Sequence, residues 1–236
     1  MKKKTGKKIT LASLKNKKTV VYVIVGFLVF GLIFSSLLYF FTPGLFGFGN
    51  NQVQTNEETI RQLERLIRQY EKDLKKTPDS EDLLKQLGNA YLNLGILYSI
   101  TSGYENKAED SFVKALEPYA KVLEKDPDNV DLRVDRAVAA FYGNKLSEAE
   151  AEFKKAIETD PEHARAHYNY GVFLYYGQGK TEEAVKEWEK VVELNPAGEE
   201  KMVDQAKQMI ELAAEAEKEA GNGEETTEGD SAVQED

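Results

Sequence analysis

Residues 127 to 196, PDNVDLRVDRAVAAFYGNKLSEAEAEFKKAIETDPEHARAHYNYGVFLYYGQGKTEEAVKEWEKVVELNP, decide the fold. Lining up Pro127, Pro161 and Pro196 gives spacings of 34 and 35 residues. Twelve, eight and five residues before these prolines stand Ala115, Tyr119 and Val122, then Ala149, Phe153 and Ala156, then Ala184, Trp188 and Val191. A period near 34 with this small, aromatic, small ending predicts helix pairs stacked as a solenoid, in which no unit buries its apolar face alone. The alanines let antiparallel helices approach closely, and the aromatic rings fill the space between neighbours. Each proline, lacking an N–H and fixed in φ, ends one unit and opens the next.

Upstream, Leu84, Leu87, Gly88 and Tyr91 follow the pattern W-x2-L-G-x2-Y with Leu84 in the tryptophan slot. With the proline-ended units, these residues resemble the tetratricopeptide repeat (TPR) family over residues 58 to 220. The resemblance implies an all-α, TPR-type right-handed helical solenoid of about three full repeats plus flanking cap helices, with the domain at 55–220. Pro78 to Pro127 is 49 residues, about 15 more than the period. The extra residues fall around Ile100 to Ser111, with a break at Ser102-Gly103, and predict helices prolonged beyond the stack. They read equally as a binding feature or as a tolerated longer turn.

The second repeat carries Arg133 and Arg136 in the slots of the family's tryptophan and leucine, while Val134, Ala137, Val138 and Phe141 keep an apolar stripe. Snorkelling of the arginine stems would accommodate this. The third repeat has His167 in the tryptophan slot, restores Gly171, and adds one residue at Gly177-Gln178-Gly179. Before the first repeat, Thr55 and Glu58 form a capping box, and Ile60, Leu63, Leu66, Ile67, Tyr70 and Leu74 share one helical face, as an N-terminal cap helix would. After the third, Glu199 to about Ala220, with Met202, Ala206, Met209, Ile210 and Ala213 on one side, reads as the terminal cap that solenoids need. Residues 221–236 hold six acids and no base, which predicts a disordered acidic tail.

The N-terminal part differs in kind. Residues 1–18 form a basic leader, and 19–41, TVVYVIVGFLVFGLIFSSLLYFF, contain no charge. At 1.5 Å per residue this stretch spans roughly 34 Å as a helix, enough for a hydrocarbon core of about 30 Å. It is long for a signal-peptide core, and no small-x-small cleavage site follows it. A signal-anchor, an N-terminal transmembrane helix in the lipid bilayer, is therefore expected. The lysines place the leader in the cytoplasm and the remainder outside, since no charge follows the span until Glu57. Gly26 and Gly31 lack the four-residue spacing of a helix-dimer motif. Residues 42–54 form a linker in which Leu45 and Phe46 face the membrane interface.

The net charge of −10 conceals an asymmetry, because eight lysines within residues 2 to 18 leave −18 on the rest. A body so acidic argues against nucleic acid as a partner. With no cysteine, disulfides and thiol nucleophiles are excluded. Gly179-Lys180-Thr181 copies the end of a nucleotide-binding P-loop, but Leu174 stands where the first glycine belongs and a helix precedes it, so a glycine stop followed by a Thr cap is expected and no nucleotide. His163 and His167 have the i, i+4 spacing of metal ligands, yet no glutamate lies between them and two ligands do not make a site. No nucleophile, base and orienter can be assembled, so neither an enzyme nor a cofactor is expected.

Surface recognition remains. In the TPR family the first helix of each repeat lines a concave groove that holds a protein or extended peptide. That resemblance places Lys85, Asn89, Asn93, Tyr142, Arg165, Tyr168, Asn169 and Tyr176 in it, with Leu92, Asp131, Val134, Val138 and Val172. One subfamily clamps a C-terminal carboxylate; Lys85, Asn89 and Arg165 match its slots, whereas Asp135 and Asn169 replace an asparagine and a basic residue. The tyrosines and asparagines suit an extended peptide or an unfolded segment, although Tyr168 and Tyr175 also suit packing inside the stack. The chain is similar to bacterial single-pass anchored TPR proteins that assist secretion, envelope assembly or cofactor-protein maturation. The resemblance implies an extracytoplasmic scaffold in the cell membrane, with a holdase-like chaperone for exported polypeptides as the alternative.

Overall fold

The computed structural model describes residues 56–224, with side chains to residue 218. The expected leader, transmembrane helix and linker lie outside the described residues, as does the tail beyond 224. Among the described residues no helix is long and apolar enough to cross a membrane. The chain divides into two compact units, the first ending at Ala115 and the second beginning at Leu116.

In the first unit, α1 (Asn56–Leu74) turns Ile60 and Ile67, seven residues apart, into the core. The amides of Lys76 and Thr77 close it by donating to the carbonyl of Asp73. Ser80 caps α2 (Glu81–Ile100) by accepting from the Leu83 amide. The two helices run antiparallel, because Tyr91 donates to Glu71 and Tyr98, further along α2, donates to Glu64, further back on α1. The residues that exceed the repeat period are taken up as helix. α2 has 20 residues and α3 (Glu105–Leu123) has 19, against 13 in α4 (Val130–Tyr142) and 14 in α5 (Leu146–Thr159). The extension has its own packing pair, since a Cβ on Gly95 would stand 2.7 Å from the Phe112 ring. Its turn bends at Gly103, φ +89°, and is covered by stacked Tyr98 and Tyr104 rings with Lys107 over both.

The second unit contains the end of α3, the α4–α5 pair, α6 (Ala164–Val172) with its continuation, α7 (Thr181–Leu194) and α8 (Glu200–Glu224). α4 packs on α5, α6 on α7 and α7 on α8, and α4 also lies beside α6. All nine residues of the proline-anchored pattern, from Ala115 to Val191, are completely buried. The fold is an all-helical, TPR-like solenoid.

Three local features depart from the sequence expectations. The added residue of the third repeat is not a longer turn: α6 runs on as a π-helical segment, Phe173–Gln178, whose wider turn absorbs one residue before Gly179 stops the helix at φ +68°. Lys180 precedes α7 without a side-chain cap, and Thr181 is already helical. α8 continues to Glu224, four residues into the expected tail.

The tryptophan slots of the second and third repeats are filled by nitrogen-bearing side chains, Arg133 and His167, braced across the helix pair. Arg133 donates to Glu152 at 2.8 Å, and Arg136 donates to both Glu152 and Glu148. In the third repeat His167 occupies the slot and meets Glu187 at 2.6 Å. The stems pack while the charged ends find carboxylates on the facing helix, so the slot stays filled without an indole.

Candidate binding site

The expected groove residues fall into two groups. Lys85, Asn89 and Asn93 stand four apart along α2 in the first unit; Lys85 and Asn93 are half-buried and Asn89 is exposed, while Leu92 is buried. Tyr142, Arg165, Tyr168, Asn169 and Tyr176 belong to the second unit. There α4 and α6, the first helices of successive pairs, lie side by side, and Arg165 fixes their register.

Its guanidinium donates to Asp135 at 2.6 Å, to the Asp131 carboxylate at 2.9 Å and to the Asp131 carbonyl at 2.8 Å. Burial would lower the basicity of Arg165, but Asp135 and Asp131 outweigh it and hold the group charged. His163 caps α6 by accepting the Ala166 N–H on Nδ1, and its Nε2 lies 3.3 Å from Asp131. The hydrogen bond from His163, supported by Arg165, holds Asp131 well below the usual carboxylate range. Asn169 donates its side-chain amide to the Arg165 carbonyl at 2.8 Å.

The other end of the same face is phenolic. Tyr168 is 2% exposed, and its backbone carbonyl accepts from Trp188 Nε1 at 3.2 Å, which ties α6 to α7. The hydroxyls of Tyr168 and Tyr176 are buried and have no hydrogen-bond partner among the described residues. Tyr142 stands half-buried near them, close enough that each phenol weighs on its ionisation. Burial pushes Tyr168 well above the ordinary phenol range and, with Tyr175 beside it, Tyr176 up to about 12. Near neutral pH these hydroxyls are protonated donors. Val134, Val138 and Val172, on the same helices, are buried in the core. Chemically the face offers the half-buried phenols Tyr142 and Tyr176 beside a charged end whose cation is already engaged.

A model of the tetratricopeptide repeat family matches residues 134–199. Among curated proteins it is similar to "Probable UDP-N-acetylglucosamine--peptide N-acetylglucosaminyltransferase SPINDLY" of Solanum lycopersicum, 31% identical over 91 residues that make up 39% of this chain and 10% of that protein. It is also similar to the type IV pilus assembly protein PilF of Pseudomonas aeruginosa, 34% identical over 96 residues, 41% of this chain and 34% of that protein. The chain thus spans from a tenth to a third of the length of these relatives. The crystal structure of MamA covers 76% of this chain and 92% of its own, with 21% identity and a TM-score of 0.48.

Within the second unit both histidines are committed to the framework. His163 is an N-cap, and His167 places Nδ1 on Glu187 and Nε2 on the Pro161 carbonyl. No group of three or more potential metal-ligating side chains gathers among the described residues. The pairing of Arg165 with Asp131 and Asp135 was not foreseen. The signal lay in the period itself: residues 30 and 34 apart occupy neighbouring slots of adjacent TPR helices.

Proposed function

We propose that the protein is a membrane-anchored scaffold whose TPR domain, held outside the cytoplasm by residues 19–41, grips an extended segment of another protein during assembly or maturation of envelope or exported proteins. The observation that carries this is the stacking of helix pairs, in which the first helices α4 and α6 lie side by side with Tyr142 and Tyr176 half-buried along them. Such a face binds through polypeptide-sized contacts, and aromatic hydroxyls give a strand apolar area and hydrogen bonds together. The uncharged 23-residue stretch and the lysines before it support the anchored setting. The similarity to PilF, a type IV pilus assembly protein, is in keeping with an assembly role.

The test is photo-crosslinking in native membranes from a benzophenone side chain at Tyr176, together with protease treatment of intact cells. A discrete crosslinked partner and external cleavage of the repeats are expected. A diffuse ladder of unfolded polypeptides would favour the holdase instead. Full protection from external protease, with cleavage only after lysis, would refute the exported setting.

A further inference from the structure

We propose that the basic stripe along α1 lies on the anionic headgroups of the membrane that holds the chain. This rests on the anchored setting proposed above and gives the same bilayer a second, electrostatic contact, made by the first unit.

Arg61, Arg65, Arg68 and Lys72 follow one another at spacings of four, three and four along α1, so they share one face of the helix. All four are exposed, and Lys75 and Lys76, also exposed, continue them into the turn after Leu74. The helical part of the stripe is about 16 Å long. Residues 61–76 hold six cations against three acids, and the acids are engaged. Glu64 accepts from Tyr98 at 2.7 Å, Glu71 from Tyr91 at 2.5 Å, and Asp73 from Gln69 and Lys76 at 2.6 and 3.3 Å.

Several exposed lysines on other helices meet a carboxylate one turn away: Lys114 pairs with Asp110, Lys121 with Glu117, Lys154 with Glu150 and Lys207 with Asp204. On α1 Arg61 has such a partner, Glu57 at 3.7 Å, whereas Arg65, Arg68 and Lys72 have no carboxylate at ion-pair distance among the described residues. In a chain that carries −18 outside its leader, this is charge of the wrong sign, collected on one face.

An anionic bilayer surface draws Lys and Arg within a Debye length, about 8 Å at physiological salt, and repels acidic surface over the same range. A flat sheet of headgroups meets a straight stripe along its whole length, and the acidic remainder of the chain disfavours any other approach. Residues 42–55 separate α1 from the expected span and reach at most about 50 Å when fully extended. So short a tether makes the contact effectively intramolecular, which offsets the weakness of a few surface charges.

The experiment uses the full chain, labelled with a fluorophore at Gln69→Cys, a unique thiol because the chain has no cysteine. It is reconstituted into vesicles of phosphatidylcholine alone or with about 30% phosphatidylglycerol, each carrying a headgroup quencher. Flotation with the neutral vesicles in about 0.5 M NaCl comes first; failure there would sink the anchored reading and this inference with it. Among vesicles that float, quenching is expected to be roughly twofold stronger or more with phosphatidylglycerol. High salt should abolish the difference, as should the triple variant Arg65→Glu, Arg68→Glu, Lys72→Glu, whereas Arg65→Lys, Arg68→Lys should keep it. Equal quenching in both kinds of vesicle, or quenching that survives the charge reversal, would overturn the proposal while leaving the anchor intact. Lipid-dependent quenching that appears only after residues 225–236 are deleted would assign the stripe to the acidic tail and overturn it too.

Discussion

Gly171 carries no side chain because Trp188 stands where one would be: a Cβ there would lie 2.5 Å from the indole nitrogen. The ring cannot yield easily, since that nitrogen donates to the Tyr168 carbonyl and the side chain is completely buried. Gly171→Ala is therefore expected to cost about 1–3 kcal/mol by overpacking, read as a lower urea midpoint with unchanged slope. His167 yields a second expectation. Its two ring nitrogens face a carboxylate and a carbonyl, which only accept, so the folded state favours the imidazolium. Burial works against that charge, but Glu187 and the Pro161 carbonyl prevail and the pKa is raised. A raised pKa means stabilisation that is complete below the ordinary value of about 6.5 and is lost as pH rises through the folded-state value. Urea midpoints of the parent and His167→Gln should differ most below the ordinary imidazole value and converge as pH rises through the raised folded-state value. Convergence in the opposite direction would show a neutral ring. The nine buried pattern residues were legible in the sequence because one period fixes them all. The cation–carboxylate braces were not, because Glu152 and Glu187 look like any solvated glutamate until the opposite helix is in place.

Helices registered in the sequence as runs of one apolar face, and the unit boundaries followed from the prolines; the caps at Ser80 and Asn129 emerged only with the structure. What a one-dimensional pattern could not show is how surplus residues are absorbed. One extra residue became a π-helical turn, and roughly one and a half to two turns' worth per helix became the lengthened α2 and α3. The π segment, Phe173–Gln178, contains Tyr175 and Tyr176, so it sets the direction in which the phenolic end of the face points. Deleting Gln178 would restore the 34-residue spacing. The variant is expected to fold with a melting temperature equal to the parent's or a few degrees higher, since π turns are strained relative to α, and to lose peptide affinity as Tyr176 rotates. Circular dichroism melts and peptide titration would check this; a large fall in melting temperature would mean that the π turn is the preferred packing.

Across the whole molecule, energetics should be local. Each unit has its own core: Ile60, Leu84, Leu94, Tyr98 and Phe112 in the first, and Tyr119, Phe153, Phe173, Trp188 and Met209 in the second. In a stack of repeats, stability approximates a sum over units and nearest neighbours. Gly95→Leu would drive a side chain into the Phe112 ring. Hydrogen exchange should then accelerate across residues 81 to 112 while amides beyond Phe153 keep most of their protection. Uniform loss across the chain would mean that the domain unfolds as one cooperative block.

The braced slots carry one more consequence. Glu152 lies 19 residues after Arg133, and Glu187 lies 20 after His167, the added residue falling between the latter two. Glu152 would keep Arg136 if Arg133 were replaced, so that brace has a reserve, whereas replacing His167 with tryptophan would leave the half-buried Glu187 without its imidazole partner. In an alignment of relatives, columns 167 and 187 are expected to drift as a linked couple, and column 133 more freely than column 152.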